Sequence, residues 1–179
     1  MSWLQKNYEV ALSNPIILSV LIILGAVIAA KITDMIFTRI FKRIVNKTQT
    51  NFDDRILQLL HRPIFYSILF IGFSVAVKTA ELPNYIDYAL VGIFKTSTIL
   101  IWLFVVMKVL ILSMEWASQK TSNPLLQQKT LPLFNNLGKI AIGLFGIYFI
   151  FLSWDINING ILASAGVLGV ILGLAAKDT

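Results

Sequence analysis

The chain has 179 residues, of which 57% are hydrophobic and only 13% are charged, and its mean hydropathy is +0.79. Soluble domains contain about 45–50% apolar and about 25% charged residues, so this composition excludes an ordinary soluble globular protein. The chain contains no cysteine, which excludes disulfides, thiolate metal sites and cysteine nucleophiles. In such a chain the net charge of +6 is tested first as a signal of membrane orientation, and only then as a sign of nucleic acid binding.

Five apolar runs predict an all-α transmembrane protein with five spans, because about 20 apolar residues cross the ~30 Å hydrocarbon core. The first run opens at Pro15, which favours the first position of a helix, and Asn14 is the expected N-cap. Its basic residues follow the apolar stretch, the reverse of a secretory signal, so we expect a retained span. The runs cover residues 15–36, 63–77, 88–114, 131–154 and 156–176. The second is short unless the preceding "ILQLLHR" continues into it.

The positive charges predict how the chain is oriented in the membrane. Eleven of the 15 Lys and Arg residues lie on one predicted side of the membrane. They are found between the first and second runs, between the third and fourth, and beside the fifth, with residues at the edges of those runs included. The opposite side holds only Lys6 and Lys78. By the positive-inside rule, the N-terminus is outside and the C-terminus inside the cell membrane.

The segment after the first run predicts a basic amphipathic helix. Apolar residues between Ile36 and Val45 recur at helical spacing, with basic residues on the other side. Such a helix can lie at an anionic inner membrane surface, although a plain helical hairpin with a solvated basic face gives the same pattern. A second short helix is expected before the second span. The candidate lipid-surface residues are Arg39, Lys42, Arg43 and Lys47.

Two lysines, Lys95 and Lys108, lie inside the third apolar run. An intramembrane lysine is a candidate functional residue, but both lie near a helix end, where a long side chain can reach the interface. Near the fifth run, the polar residues of "SWDININ" are explained more simply as a turn and helix cap than as a metal site. No phosphate loop, paired intramembrane carboxylates or HExxH spacing occurs. We predict no enzyme, no catalytic or metal-binding residues and no cofactor.

The closing run places small and aliphatic residues on adjacent faces of a helix. With 100° per residue and Gly166 at zero, Gly173 and Gly169 fall at about −20° and −60°. Val170 and Leu174 fall at about +40° and +80° on the same scale. We call the first set the glycine strip (Gly166, Gly169 and Gly173) and the second set the seal residues (Val170 and Leu174).

These two faces suit a ring of identical helices. Association in lipid depends on van der Waals packing, and glycine lets backbones approach closely. If each glycine strip receives a neighbouring helix, the seal residues face the axis and form a narrow apolar constriction that excludes water and ions by dewetting. Small-residue strips also occur in transmembrane helices that merely pack, so geometry alone leaves both possibilities open.

The segment "LSWDININGILASAGVLGVILGLAAKDT" resembles the pore-helix region of the MscS-like, small-conductance mechanosensitive channel family. Its ending "GLAAKDT" fits the family pattern closely, and "FDDRILQLLHRPI" and "KTLPLFNNLGKI" resemble inside segments of five-span members. The chain departs from the family's best-known member at Val167 and Ile171, where that protein has alanines opposite the glycines. Family members continue into an amphipathic half-helix and a cytoplasmic β-rich domain, so the resemblance covers the membrane portion only.

The resemblance implies a tension-gated channel that releases ions and small solutes under osmotic stress. It implies a heptamer in the inner membrane, with lipids and permeating ions as partners and no nucleic acid. Residues 1–128 would form lipid-facing sensor spans and 129–179 a channel hairpin, whose pore-lining helix is 156–179. A non-conducting scaffold or a fragment of a secondary transporter are the alternatives. The implied seal positions are Val170 and Leu174, and the implied packing positions are Ala163, Gly166, Gly169 and Gly173.

Overall fold

The computed structural model of the chain describes residues 14–45, 51–120 and 131–177. Within these ranges the secondary structure is entirely helical, with no strand. The predicted all-α fold class is therefore confirmed. The helices are α1 (Pro15–Val45), α2 (Asn51–Thr79), α3 (Asn84–Lys120), α4 (Leu131–Ser153) and α5 (Asn159–Lys177).

Four of these helices contain stretches long and apolar enough to cross a membrane, and they make the chain a multi-pass membrane protein. The apolar part of α5, Asn159–Ala175, is shorter. The whole of α5 has 19 residues, or about 28 Å at 1.5 Å per residue, close to the thickness of the hydrocarbon core. A fifth crossing remains a prediction. The four candidate spans are Pro15–Ile40, Gln58–Thr79, Asn84–Trp116 and Pro132–Ser153.

Helix α1 begins where the sequence predicts and continues well past the first apolar run. The backbone N–H of Ile16 donates a hydrogen bond to Asn14 Oδ1 at 3.0 Å, so the predicted N-cap is confirmed. The predicted basic continuation is helical as far as Val45. Arg39 is exposed on it. The side chains of Lys42 and Arg43 and the whole of Lys47 lie outside what the structure describes.

Helix α2 differs from the expected short helix followed by a separate span. It is continuous from Asn51 to Thr79 and includes Pro63 in its interior, so "ILQLLHR" does continue into the second run. Proline removes one helical hydrogen bond, but membrane helices tolerate this where neighbouring helices pack against them. Pro63 is buried, and α2 packs along both α1 and α3.

Small residues allow consecutive helices to approach closely: α1 packs on α2, α2 on α3 and α3 on α4. At Gly72 of α2 an added Cβ would collide with Ala26 of α1. At Gly146 of α4 it would collide with Leu103 of α3. These contacts are the close backbone approaches by which small residues stabilise helix pairs in lipid.

Candidate pore-lining helix

Helix α5 differs from the other four in its exposure. Every residue of α5 whose side chain the structure describes is exposed, including Val170 at 64% and Leu174 at 62%. An added Cβ at Gly166, Gly169 or Gly173 would meet no atom within 4 Å. A single copy of the chain therefore leaves this apolar helix uncovered.

The residues singled out in the closing run all lie on this one helix. Asn159–Lys177 is α-helical without interruption, so the glycine strip and the seal residues occupy adjacent faces, as the 100° periodicity requires. Ala163 lies on the same helix, beside the seal residues. The structure brings these residues together on two faces, while the role of each face depends on what surrounds α5 in an assembly.

Hydrogen bonds hold the turn between α4 and α5 against α3. Trp154, directly after α4, donates from Nε1 to Thr96 Oγ1 at 2.8 Å, and the Tyr88 hydroxyl donates to the Trp154 carbonyl oxygen. The indole fits because Gly92 leaves space: an added Cβ there would lie 3.0 Å from the ring. This contact was not foreseen from the sequence, which showed only aromatic residues at the edges of the spans.

The polar residues of this turn act as a cap. The backbone N–H of Asn159 donates to Asn157 Oδ1 at 3.0 Å, and Asp155 adopts a left-handed φ of 53°, which suits a short polar residue at a turn. The predicted turn and cap are confirmed. Among the residues that the structure describes, no group of three or more His, Cys, Asp or Glu side chains is placed to bind a metal ion.

A second polar contact joins α1 to α2 near the end of the bundle predicted to be cytoplasmic. His61 Nε2 lies 2.8 Å from Asp34 Oδ1 and 3.1 Å from Thr38 Oγ1. The Thr38 hydroxyl also bonds the Asp34 carbonyl oxygen at 2.8 Å, and the His61 ring packs near Phe37. This pairing was not predicted from the sequence, although the sequence places an acidic residue and the single histidine at the ends of neighbouring spans.

Comparison with known proteins gives a match over the same region. The family model described as "Mechanosensitive ion channel, transmembrane helices 2/3" matches residues 136–177, most of α4 and all of α5. The small-conductance mechanosensitive channel MscMJ of Methanocaldococcus jannaschii is 32% identical over 173 residues. The chain is an MscS-like membrane portion.

The relatives of this MscS-like chain are longer than the chain itself. The match to MscMJ covers 94% of this chain and 49% of that protein. An uncharacterised MscS family protein of Aquifex aeolicus is 27% identical over 181 residues, covering 92% of this chain and 45% of its own length. The chain thus spans about half the length of the curated relatives it matches. No solved structure matches it.

Proposed function

We propose that the chain forms the membrane portion of a tension-gated channel in which α5 lines the pore. The observation that carries the proposal is the exposure of every α5 residue whose side chain the structure describes, on an apolar helix within the segment that matches the channel family. An apolar helix exposed on all sides in one copy needs neighbours. Identical copies of α5 arranged around an axis would supply them and leave a central opening. Similarity to MscMJ, a small-conductance mechanosensitive channel, supports a channel rather than an enzyme.

The two faces of α5 would have different roles in this assembly, one in packing and one in closing the pore. The glycine strip has room for a neighbouring subunit's helix, since nothing lies within 4 Å of its missing Cβ positions. Val170 and Leu174, one turn apart, would then face the axis as two apolar rings. A narrow apolar constriction empties of water and so blocks ions. Similarity to the family gives seven copies as the expected number.

Membrane tension would act on this constriction through the outer helices. Helices α1 to α4 carry many exposed apolar side chains suited to lipid contact. The Trp154 contacts with Thr96 and Tyr88 link α3 to the turn before α5. A wider arrangement of the outer helices under tension would pull on that turn and separate the seal residues. Residues 1–128 would be the sensor spans and 129–179 the channel hairpin.

In this proposal the protein lies in the inner cell membrane with its N-terminus outside, as the positive charges predict. Ions and small solutes would leave through the open pore during osmotic downshock. Arg39, Lys42, Arg43 and Lys47 would contact lipid headgroups at the inner surface, where a basic residue is attracted to anionic lipid.

Single-channel recording of the full-length protein in membrane patches tests this assignment. Val170→Ser and Leu174→Ser add a hydroxyl to the constriction, which favours hydration, so the tension needed for opening should fall. Leu168→Ser is the matched control, because Leu168 lies on the back of α5 relative to the seal residues. Unchanged thresholds in the two seal variants, or an equal fall in the control, would contradict the assignment. Absence of any conducting oligomer in the wild type would instead favour a scaffold.

A further inference from the structure

A groove between α2 and α3 combines basic and apolar side chains. It has a volume of 760 Å³ and lies toward the ends of α2 and α3 predicted to be cytoplasmic. Arg55 and Arg62 contribute from α2, and Lys108 from α3. Apolar side chains nearer the middle of the two helices also line it, among them Ile101 and Phe104. We call this the inner groove.

The helix register places two of these cations at nearly the same depth. Trp102 Nε1 donates to Ser67 Oγ at 2.9 Å, which fixes α3 against α2. From that level, Arg62 is five residues and Lys108 six residues nearer the predicted cytoplasmic end, or about 8 Å and 9 Å along the helices. Both therefore flank the groove at one level, on opposite walls.

The charge of the inner groove suits an anion. Arg55, Arg62 and Lys108 are all exposed. Among the residues that the structure describes, no carboxylate oxygen lies within 4 Å of the Arg62 guanidinium or the Lys108 ammonium group. One carboxylate, that of Glu115, also lines the groove. Among the described residues that line the groove, three cations stand against one carboxylate, so this part of the lining carries a net positive charge beside an apolar surface.

We propose that the inner groove binds one anionic phospholipid from the cytoplasmic leaflet. Its phosphate would lie between Arg62 and Lys108, and an acyl chain would extend past Ile101 and Phe104. Arginine binds phosphate through its planar guanidinium and lysine binds it as a point charge. Basic pockets between transmembrane helices on the cytoplasmic side are suited to anionic headgroups. The apolar continuation of the groove favours a lipid over a free phosphate, which would leave it unfilled.

This site gives Lys108 a role beyond reaching the interface. If Lys108 only extended its ammonium group to the membrane surface, no second cation would be needed on the opposite wall of the groove. Here Lys108 faces the same space as a guanidinium from another helix, so a phosphate between them would relieve the repulsion of two like charges. The bound lipid would also join α2 to α3 at their cytoplasmic ends.

Native mass spectrometry of the purified protein in mild detergent tests the site directly, using palmitoyl-oleoyl phosphatidylglycerol and the matching phosphatidylcholine as probes. Each cation near an anionic headgroup contributes about fivefold to affinity. Arg62→Gln with Lys108→Gln should therefore weaken phosphatidylglycerol binding about thirtyfold and leave phosphatidylcholine unchanged. Arg62→Lys with Lys108→Arg should retain most of the binding.

The control is Lys139→Gln, which removes one exposed positive charge from α4 outside the groove and should change binding less than about twofold. Equal binding by the wild type and the double glutamine variant would overturn the proposal, as would an equal loss in Lys139→Gln, which would indicate surface attraction only. Competition by millimolar glycerol 3-phosphate would overturn the lipid assignment in favour of a free phosphate site. Because only lipid binding is measured, the result does not depend on channel activity.

Discussion

Three glycines of the outer helices lie in surroundings opposite to those of the glycine strip on α5, whereas Gly25 and Gly143, also in the outer helices, are as open as the strip. At Gly72, Gly138 and Gly146 a neighbouring helix already occupies the space that a Cβ would need. At Gly166, Gly169 and Gly173 that space is open. A glycine of the first kind marks a helix contact that is completed within one chain. A glycine of the second kind marks a surface that has no neighbouring helix within the chain. The first three show that α1 to α4 pack on one another within the chain, whereas no described residue fills the space beside the glycine strip of α5.

The largest expected effect comes from Leu174→Asp in the full-length protein. A carboxylate in the proposed constriction would attract water and ions, so the closed channel should leak. Cells that express the variant should grow poorly, and liposomes that contain it should lose a trapped dye without applied tension. Leu174→Ile is the matched control and should remain closed. Tight liposomes with the aspartate variant would show that Leu174 does not face a pore.

The two classes of glycine should respond differently to the same substitution. Gly146→Val forces a side chain into Leu103 and should lower the free energy of unfolding by about 1–3 kcal/mol, the usual cost of overpacking. Gly169→Val has no atom to collide with inside one chain, so its thermal unfolding as a monomer in detergent should change little. Circular dichroism melts give both values. Equal destabilisation by the two substitutions would contradict the distinction between the outer helices and α5.

A smaller effect is expected at the polar contact between α1 and α2. His61→Ala removes the 2.8 Å contact with Asp34 and the 3.1 Å contact with Thr38. Both side chains of the pair are more than a third exposed, so the expected loss is only about 0.5–1 kcal/mol. A double-mutant cycle with Asp34→Asn, measured by urea unfolding in detergent, should give a coupling of this size. Strictly additive single effects would show that the pair contributes nothing.

Local features of the fold were predictable from the sequence because they depend on nearby residues. The length of the hydrophobic runs predicted the helical membrane fold, and the side chains of Asn14 and Asn157 cap the helices that follow them, as expected. Helix α2 decides a point that the sequence left open, whether "ILQLLHR" continues into the second run. The helix is continuous from Asn51 to Thr79, and packing against α1 and α3 accommodates Pro63 in its interior.

The long-range contacts were not predictable, because each depends on how two helices are aligned. His61 meets Asp34 across α1 and α2, Trp154 meets Thr96 across a separation of 58 residues, and Arg62 faces the groove that also contains Lys108. No local pattern in the sequence specifies these alignments. The direction in which the seal residues face within an assembly remains a prediction.

Cysteine cross-linking tests the central claim most directly, because these 179 residues contain no cysteine. In the full-length protein, Leu174→Cys would place one thiol per subunit on the proposed constriction, and Leu168→Cys would place it on the back of α5. With an oxidant and without membrane tension, Leu174→Cys should give disulfide-linked dimers on a non-reducing gel, and Leu168→Cys should remain monomeric. Dimers from Leu168→Cys and none from Leu174→Cys would contradict the assignment of α5 as the pore-lining helix.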